Sequence, residues 1–397
     1  MPSPQLRRVR ALLLVAGIAA AISPALADES AGQHAWPDPA LSHAESMPAA
    51  ARSLLLDAVR LSGGRTVAVG ERGHVLLSDD DGATWRQVVV PTRVTLTAVA
   101  TGGDSVVAAG HDGVVLHSTD RGETWQRVRE EPYSADNFSS PSNGSPVLDV
   151  LFLDRERVLA IGAYALVLTS DDGGATWQNG ELVLADGSDI DAMAGAEGVG
   201  DAGGTTGTPV DEAATDDEAD TDAAGDGVLF DADELMLDDE VDPHLNAVVR
   251  TTGGALVMVG ERGSVFRSTD EGATWQRLSL PYGGSMFGVL PTGGDGVLVM
   301  GLQGRAFESD DLGGTWRDVD TGVNATLFAG FMGADRAVVL VGAQGAIVRR
   351  PSAIDGFEAS VFVTEGGETP THSAVLQRED GGLVLFGERG AAQWRQP

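Results

Sequence analysis

One eight-residue phrase, S-x-D-x-G-x-T-W, is written five times along this chain: Ser78–Trp85, Ser118–Trp125, Ser170–Trp177, Ser268–Trp275 and Ser309–Trp316. Repetition at this density means one small unit of structure used again and again. The residue types describe a tight turn between two strands. Ser and Asp oxygens accept from nearby backbone N–H groups, and Gly takes a positive φ without steric cost. Thr and Trp then open the next strand, with the indole free to pack back over the turn. Asp80 and Asp120 are therefore turn-forming carboxylates rather than catalytic acids. The phrase speaks of architecture and says nothing of activity.

A second pattern, an apolar strand ending in G-x-x-G, precedes each turn and counts the units. It stands at Gly70–Gly73, Gly110–Gly113, Gly162–Ala165, Gly260–Gly263, Gly301–Gly304, Gly342–Gly345 and Gly387–Gly390, with Ala closing the third copy. Successive first glycines lie 40, 52, 98, 41, 41 and 45 residues apart. A period near forty with several short strands per unit predicts propeller blades. The first unit reads as strand a at Leu54–Leu61, b at Thr66–Val69, c at His74–Leu77 and d at Thr84–Val90. Alternation such as Val67/Val69 and Val75/Leu77 fits sheets packed between neighbouring sheets. The fold expected is all-β, a seven-bladed β-propeller, with residues 52–397 as the propeller.

The S-x-D-x-G-x-T-W turn resembles the Asp-box, also called the bacterial neuraminidase repeat. Sialidases share it, but a catalytic sialidase also carries an Arg triad, a Tyr–Glu pair and an Arg-Ile-Pro motif. This chain has three Tyr and no Arg-Ile-Pro. A secreted glycan-binding or glycosidase propeller is the alternative reading. The combination of G-x-x-G, three times G-E-R-G, with the Asp-box resembles a different family, the photosystem II stability/assembly factor propellers and their bacterial relatives. Val67–Trp85, Leu96–Val99, Gly110–Trp125, His244–Trp275 and Pro281–Ser285 carry that resemblance. It implies a non-catalytic assembly factor that grips a membrane protein through a ring of Arg, here Arg72, Arg262 and Arg389.

Charge and targeting narrow the setting. Net charge is −33, with 26 basic residues, all Arg, against 59 acidic ones. Such a chain is a poor ligand for nucleic acid or for an anionic membrane surface. The N-terminus reads as a secretory signal over residues 1–27: Arg7, Arg8 and Arg10, the apolar run Ala11–Ala21, and cleavage after Ala27. Its apolar run is too short to span a bilayer comfortably. The chain has no Cys, which removes disulfides, thiol chemistry and lipidation at the cleavage site. The expectation is a periplasmic monomer, peripheral at most to the membrane.

Residues 28–51 are a tether or a closing strand for the last blade. Residues 186–242 interrupt the repeat with about twenty of the 59 acids and no basic residue, a composition that cannot build a core. The seven scattered His show no metal-ligand spacing, and no calcium loop, G-x-S-x-G elbow or P-loop is present. No cofactor, metal or catalytic residue is expected.

Strand alternation sorts the turns onto two faces. The G-x-x-G turns and the blade-to-blade crossings share one, which gathers Arg72, His111, Tyr164, Arg262, Gln303, Gln344 and Arg389, one per blade, with Tyr282 from a crossing. This face is the expected partner surface for an integral membrane protein or membrane complex, with the acidic insert as a cover.

Overall fold

A computed structural model describes residues 38–134, 142–185 and 242–395. The signal segment, and with residues 186–241 nearly all of the acidic insert, lie outside the described residues.

Among the described residues seven antiparallel sheets follow one another, six with four strands and the last with three. The first holds Leu55–Arg60, Thr66–Gly70, Val75–Ser78 and Arg86–Val88. Expectation and structure agree strand for strand, differing by one or two residues at most ends; the fourth strand is shorter, because Thr84 serves the turn. The inner strands of the other blades are Leu96–Gly102, Val147–Phe152, Leu245–Arg250, Met286–Gly293, Leu327–Met332 and His372–Gln377. Each inner strand touches the next, and that of blade seven touches that of blade one, so the ring closes. The core is made of the apolar layers between sheets; Val67, Val69, Val75 and Leu77 of blade one pack with Val106, Ala108 and Leu116 of blade two.

The first Gly of each G-x-x-G turn is required by crowding rather than by φ. At Gly70, Gly110, Gly301 and Gly342 the backbone is extended (φ between −175° and −167°). A Cβ at any of the seven first glycines would overlap the carbonyl oxygen of the residue just ahead of its own inner strand, such as Leu54 O at Gly70 or Thr371 O at Gly387. The inner strand bulges there: Leu55 opposes Gly70 but Asp57 opposes Val69, and every blade shows the same shift. The bulge turns one extra residue per blade toward the axis.

Ring closure differs from both sequence expectations. In blades one, four and five the last Gly of the turn abuts the carbonyl of the residue four before the next inner strand: Thr92, Tyr282 and Val323. Gly390 of blade seven meets Ala51 in the same way, four residues before Leu55. The described residues ahead of blade one therefore form the seventh crossing, with a 3-10 turn at Ala50–Arg52, and supply no fourth strand; residues 28–37 of the expected segment lie outside the described residues. Met47, Ala50 and Ala51 pack against Trp85, Val384 and Phe386. Upstream, Ala44 N–H donates to Val90 O (2.9 Å) and Arg93 N–H to Pro39 O (2.8 Å). Residues 38–53 are docked along blade one rather than tethering it.

Candidate functional site

The two faces are chemically distinct. On one, all five S-x-D-x-G-x-T-W turns repeat a single network. In the first, Ser78 Oγ donates to Asp80 Oδ1 (2.9 Å) and accepts from Gly82 N–H (2.9 Å). Thr84 N–H donates to Asp80 Oδ1 (2.8 Å) and Thr84 Oγ1 to Asp80 Oδ2 (2.5 Å). The hydroxyl and amide of Thr84 hold the Asp80 carboxyl down to about 2, and those of Thr274 do the same for Asp270. Both oxygens of each Asp are occupied by the turn. The loop Leu61–Arg65 shares this face, since Arg65 bridges Asp79 and Glu123 (2.6 Å each).

The opposite face carries the G-x-x-G turns. Their third residue sits in the left-handed region in six blades: Arg72, Asp112, Tyr164, Arg262, Gln303 and Gln344, at φ 52–57°. That conformation points each side chain outward, and Arg72, Tyr164, Arg262, Gln303 and Gln344 are exposed. Blade two departs from the expected ring: His111 is exposed but holds the second position, so Asp112 stands where blades one and four place Arg. Arg389 occupies a tighter hairpin, in which Gly387 pairs with Gly390, and it forms an ion pair with Glu368. Tyr282 is turned inward. Its ring lies 6.0 Å from Phe307, with the Arg305 guanidinium 5.6 Å above it.

The Glu of each G-E-R-G turn has a role that sequence reasoning missed. Glu71 accepts from Leu54 N–H (3.2 Å), Glu261 from His244 N–H (3.4 Å) and Glu388 from Thr371 N–H (3.0 Å). Each carboxylate caps the start of its own inner strand, which leaves the neighbouring Arg to face outward. A second omission is Arg52. It is exposed on the seventh crossing, with its Cα against Gly390. The turns that carry Arg72 and Arg389 belong to blades one and seven, and Arg52 lies on the crossing between those blades, while Arg262 stands three blades away from blade one. The chain's own repeat hid this grouping, because Arg52 lies outside any repeated phrase.

Beside these residues a cavity of about 530 Å³ descends into the ring axis, with Leu54, Thr371 and Glu388 at its mouth. Phe287 and Phe328 form part of the wall, their rings 5.3 Å apart. Asp57 and Asp149 also line it. Asp57 accepts from Ala58 N–H and, across the blade boundary, from Val99 N–H (2.8 Å each). Asp149 accepts likewise from Val150 and Val248 (2.8 Å each). Burial pushes both carboxyls up to about 7 against the pull of these N–H donors, and repulsion from Asp149 adds to the effect at Asp57.

Comparison with known proteins agrees with this architecture. Residues 42–136 match the family model of the photosynthesis system II assembly factor YCF48. A search of the curated proteins gives no match. Among solved structures, YCF48 bound to D1 peptide is 15% identical with a TM-score of 0.58, covering 91% of this chain and 100% of that one. YCF48 from Cyanidioschyzon merolae is 14% identical with a TM-score of 0.57, covering 89% of this chain and 98% of that one. A streptogramin B lyase superimposes too, at 11% identity and a TM-score of 0.54 over 90% of this chain and 99% of that one. At such identities the superpositions speak for the fold alone, and the family model adds the repeat chemistry of the first two blades. The chain is a seven-bladed β-propeller whose residues 42–136 match the model of the photosynthesis system II assembly factor YCF48.

Proposed function

We propose that this protein is a non-catalytic binding or assembly factor whose G-x-x-G face engages an extended segment of a membrane protein. The observation that carries the reading is that exposed Arg52, Arg72 and Arg389 stand on adjoining segments of blades seven and one, next to the cavity-lining Leu54 and Glu388, on a fold similar to that of a YCF48 bound to D1 peptide. Within a chain of net charge −33, Arg52 and Arg72, with Arg389 released from its exposed pairing with Glu368, offer a local site for carboxylates, each guanidinium able to hold one through two parallel hydrogen bonds. The long-range field repels an acidic partner, so selection falls to this short-range geometry.

The setting is the periplasm, entered after cleavage behind Ala27, where the protein acts as a monomer on an integral membrane protein or complex. The charged, apolar and small-residue regions of residues 1–27 support export. Sequencing the mature N-terminus from fractionated cells checks this part on its own.

The face is tested with a fluorescently labelled acidic peptide ending in a free carboxylate. Saturable binding is expected. Charge reversal in the pair Arg72→Glu and Arg389→Glu weakens it about tenfold or more, since exposed rim charges contribute at least a few tenths of a kcal/mol each (~0.4) and reversal about doubles the effect. Reversal of Arg86, which is exposed and paired with Glu123 on the opposite face, leaves it unchanged. Equal losses from both changes would refute the assignment of the face.

A further inference from the structure

The inner strands of adjacent blades are tied together by side chains reaching across to the next backbone. Asp57 ties blade one to two and Asp149 ties three to four. Thr97 donates to Val147 O, Asn246 to Met286 O (2.9 Å) and Ser373 to Leu55 O (2.8 Å). Three of these five ties use neutral groups. Neutral amides and hydroxyls therefore suffice to join blades, and carboxylates carry a desolvation cost that the tie itself does not need.

That cost falls on a cavity with room for a ligand. The void of about 530 Å³ is walled by Leu56, Leu148, Phe287 and Phe328, and among the described residues no Lys, Arg or His lines it. Besides Asp57 and Asp149, the one other ionisable lining residue among those described is Glu388 at the mouth, already capping Thr371 N–H. Each oxygen of Asp57 and Asp149 accepts one backbone N–H, and a carboxylate oxygen accepts two. An apolar collar leading to uncompensated carboxylates is the environment that recognises a cation on an apolar stem.

We infer that the axial cavity is a binding site for an ammonium or guanidinium carried on an apolar stem, with Asp57 and Asp149 as its anionic floor and Phe287 and Phe328 as its aromatic wall. A free amine and a Lys or Arg side chain of a bound protein present the same chemistry. The site is separate from the guanidinium cluster proposed for the partner face: one takes cations inside the ring, the other carboxylates on its surface. Because both carboxyls sit near 7 when empty, entry of a cation expels a proton, and affinity climbs with pH, by up to tenfold per unit below 7 when one carboxyl must ionise.

The test uses the full chain with benzylammonium and the uncharged benzyl alcohol, followed by calorimetry and NMR at pH 5.5, 7.0 and 8.0. An acetyl-Ala-Lys-Ala-amide peptide forms a second arm. Saturable binding of the ammonium with little binding of the alcohol is expected, at least tenfold weaker at pH 5.5 than at 8.0. Asp57→Asn and Asp149→Asn each weaken it at least tenfold. Ala329→Phe fills the void while leaving both carboxylates in place, and abolishes binding even if the Asn variants fold poorly. Binding of the ammonium alone identifies a free amine as the source, and binding of the peptide alone a partner's side chain. Equal binding of alcohol and ammonium, retention in the folded Asn variants, or no saturable binding by either cation at pH 8.0 overturns the site.

Discussion

Replacing His372 with Leu should stabilise this propeller, and by an amount that grows as the medium is acidified. His372 opposes Gly387 at the first paired position of the seventh inner strand. Leu55, Leu96, Val147, Leu245, Met286 and Leu327 hold that position in the other blades. The imidazole is 3% exposed and lies edge-on to Phe362, ring centres 5.1 Å apart. Neither ring nitrogen has a hydrogen-bond partner among the described residues. Burial lowers its pKa from 6.5 to about 4, with Glu388 pulling weakly the other way.

A native-state pKa below the unfolded one means that the unfolded chain binds the proton first. The folded state is unpenalised above pH 6.5 and loses stability as the pH falls from there through 4. The slope is about 1.4 kcal/mol per pH unit. Between 6.5 and 4 the loss totals roughly 3 kcal/mol, a large share of a typical domain's 5–15 kcal/mol. Urea unfolding of wild type and His372→Leu at pH 7.5, 6.0 and 5.0 reads it directly. The gain from Leu should be about 1 kcal/mol at pH 7.5, from relief of two unsatisfied buried nitrogens, and about 2 kcal/mol larger at pH 5.0. Taking the difference between the two proteins cancels Asp57 and Asp149. Their raised pKa values act oppositely, with a contribution present below about 4 and lost as the pH rises through 7. A gain of the same size at all three pH values would refute the reasoning.

Two further changes probe the frame. Gly342→Ala places a Cβ on Thr326 O and should cost about 3 kcal/mol or more through overpacking, whereas Gly356→Ala, which meets nothing nearby, should shift the melting temperature little. Arg350 is buried, paired with Glu308 and stacked 4.8 Å from Phe357. Arg350→Ala strands a largely buried carboxylate whose remaining partner, Arg317, is mostly exposed, and should cost about 3 kcal/mol in chemical denaturation.

Much of this architecture is legible in the sequence because its chemistry is local. The five turns close within eight residues, and the seven glycines answer to a carbonyl of the same sheet, so each blade writes its own signature. What escaped the sequence involves partners that leave no side-chain trace. Asp57 and Asp149 bond to backbone N–H groups one blade away, and any residue type can supply an N–H. Glu71, Glu261 and Glu388 were visible as a threefold repeat, but their caps are also backbone groups. Blade six shows the converse: its outer strand, Glu358–Val361, forms without the five-fold phrase, and the loop before it is held instead by Ser352 Oγ donating to Asp355 (2.6 Å). The seventh crossing was illegible because what recurs there is a position, four residues ahead of an inner strand, and not an amino acid.

That crossing has a mechanical corollary. At the joints from blade one to two, four to five, five to six and six to seven a short described stretch of polypeptide passes from sheet to sheet and limits how far the sheets can separate. Among the described residues, the last blade and the first are held by the apolar layer of Leu55, Leu76, Trp85, Val384 and Phe386 with Ala50 and Ala51, by the Ser373 hydroxyl and by the Arg378–Asp81 pair. Under load or on warming the circle should part at this clasp before it parts at those four joints, so reinforcing it toughens the whole molecule.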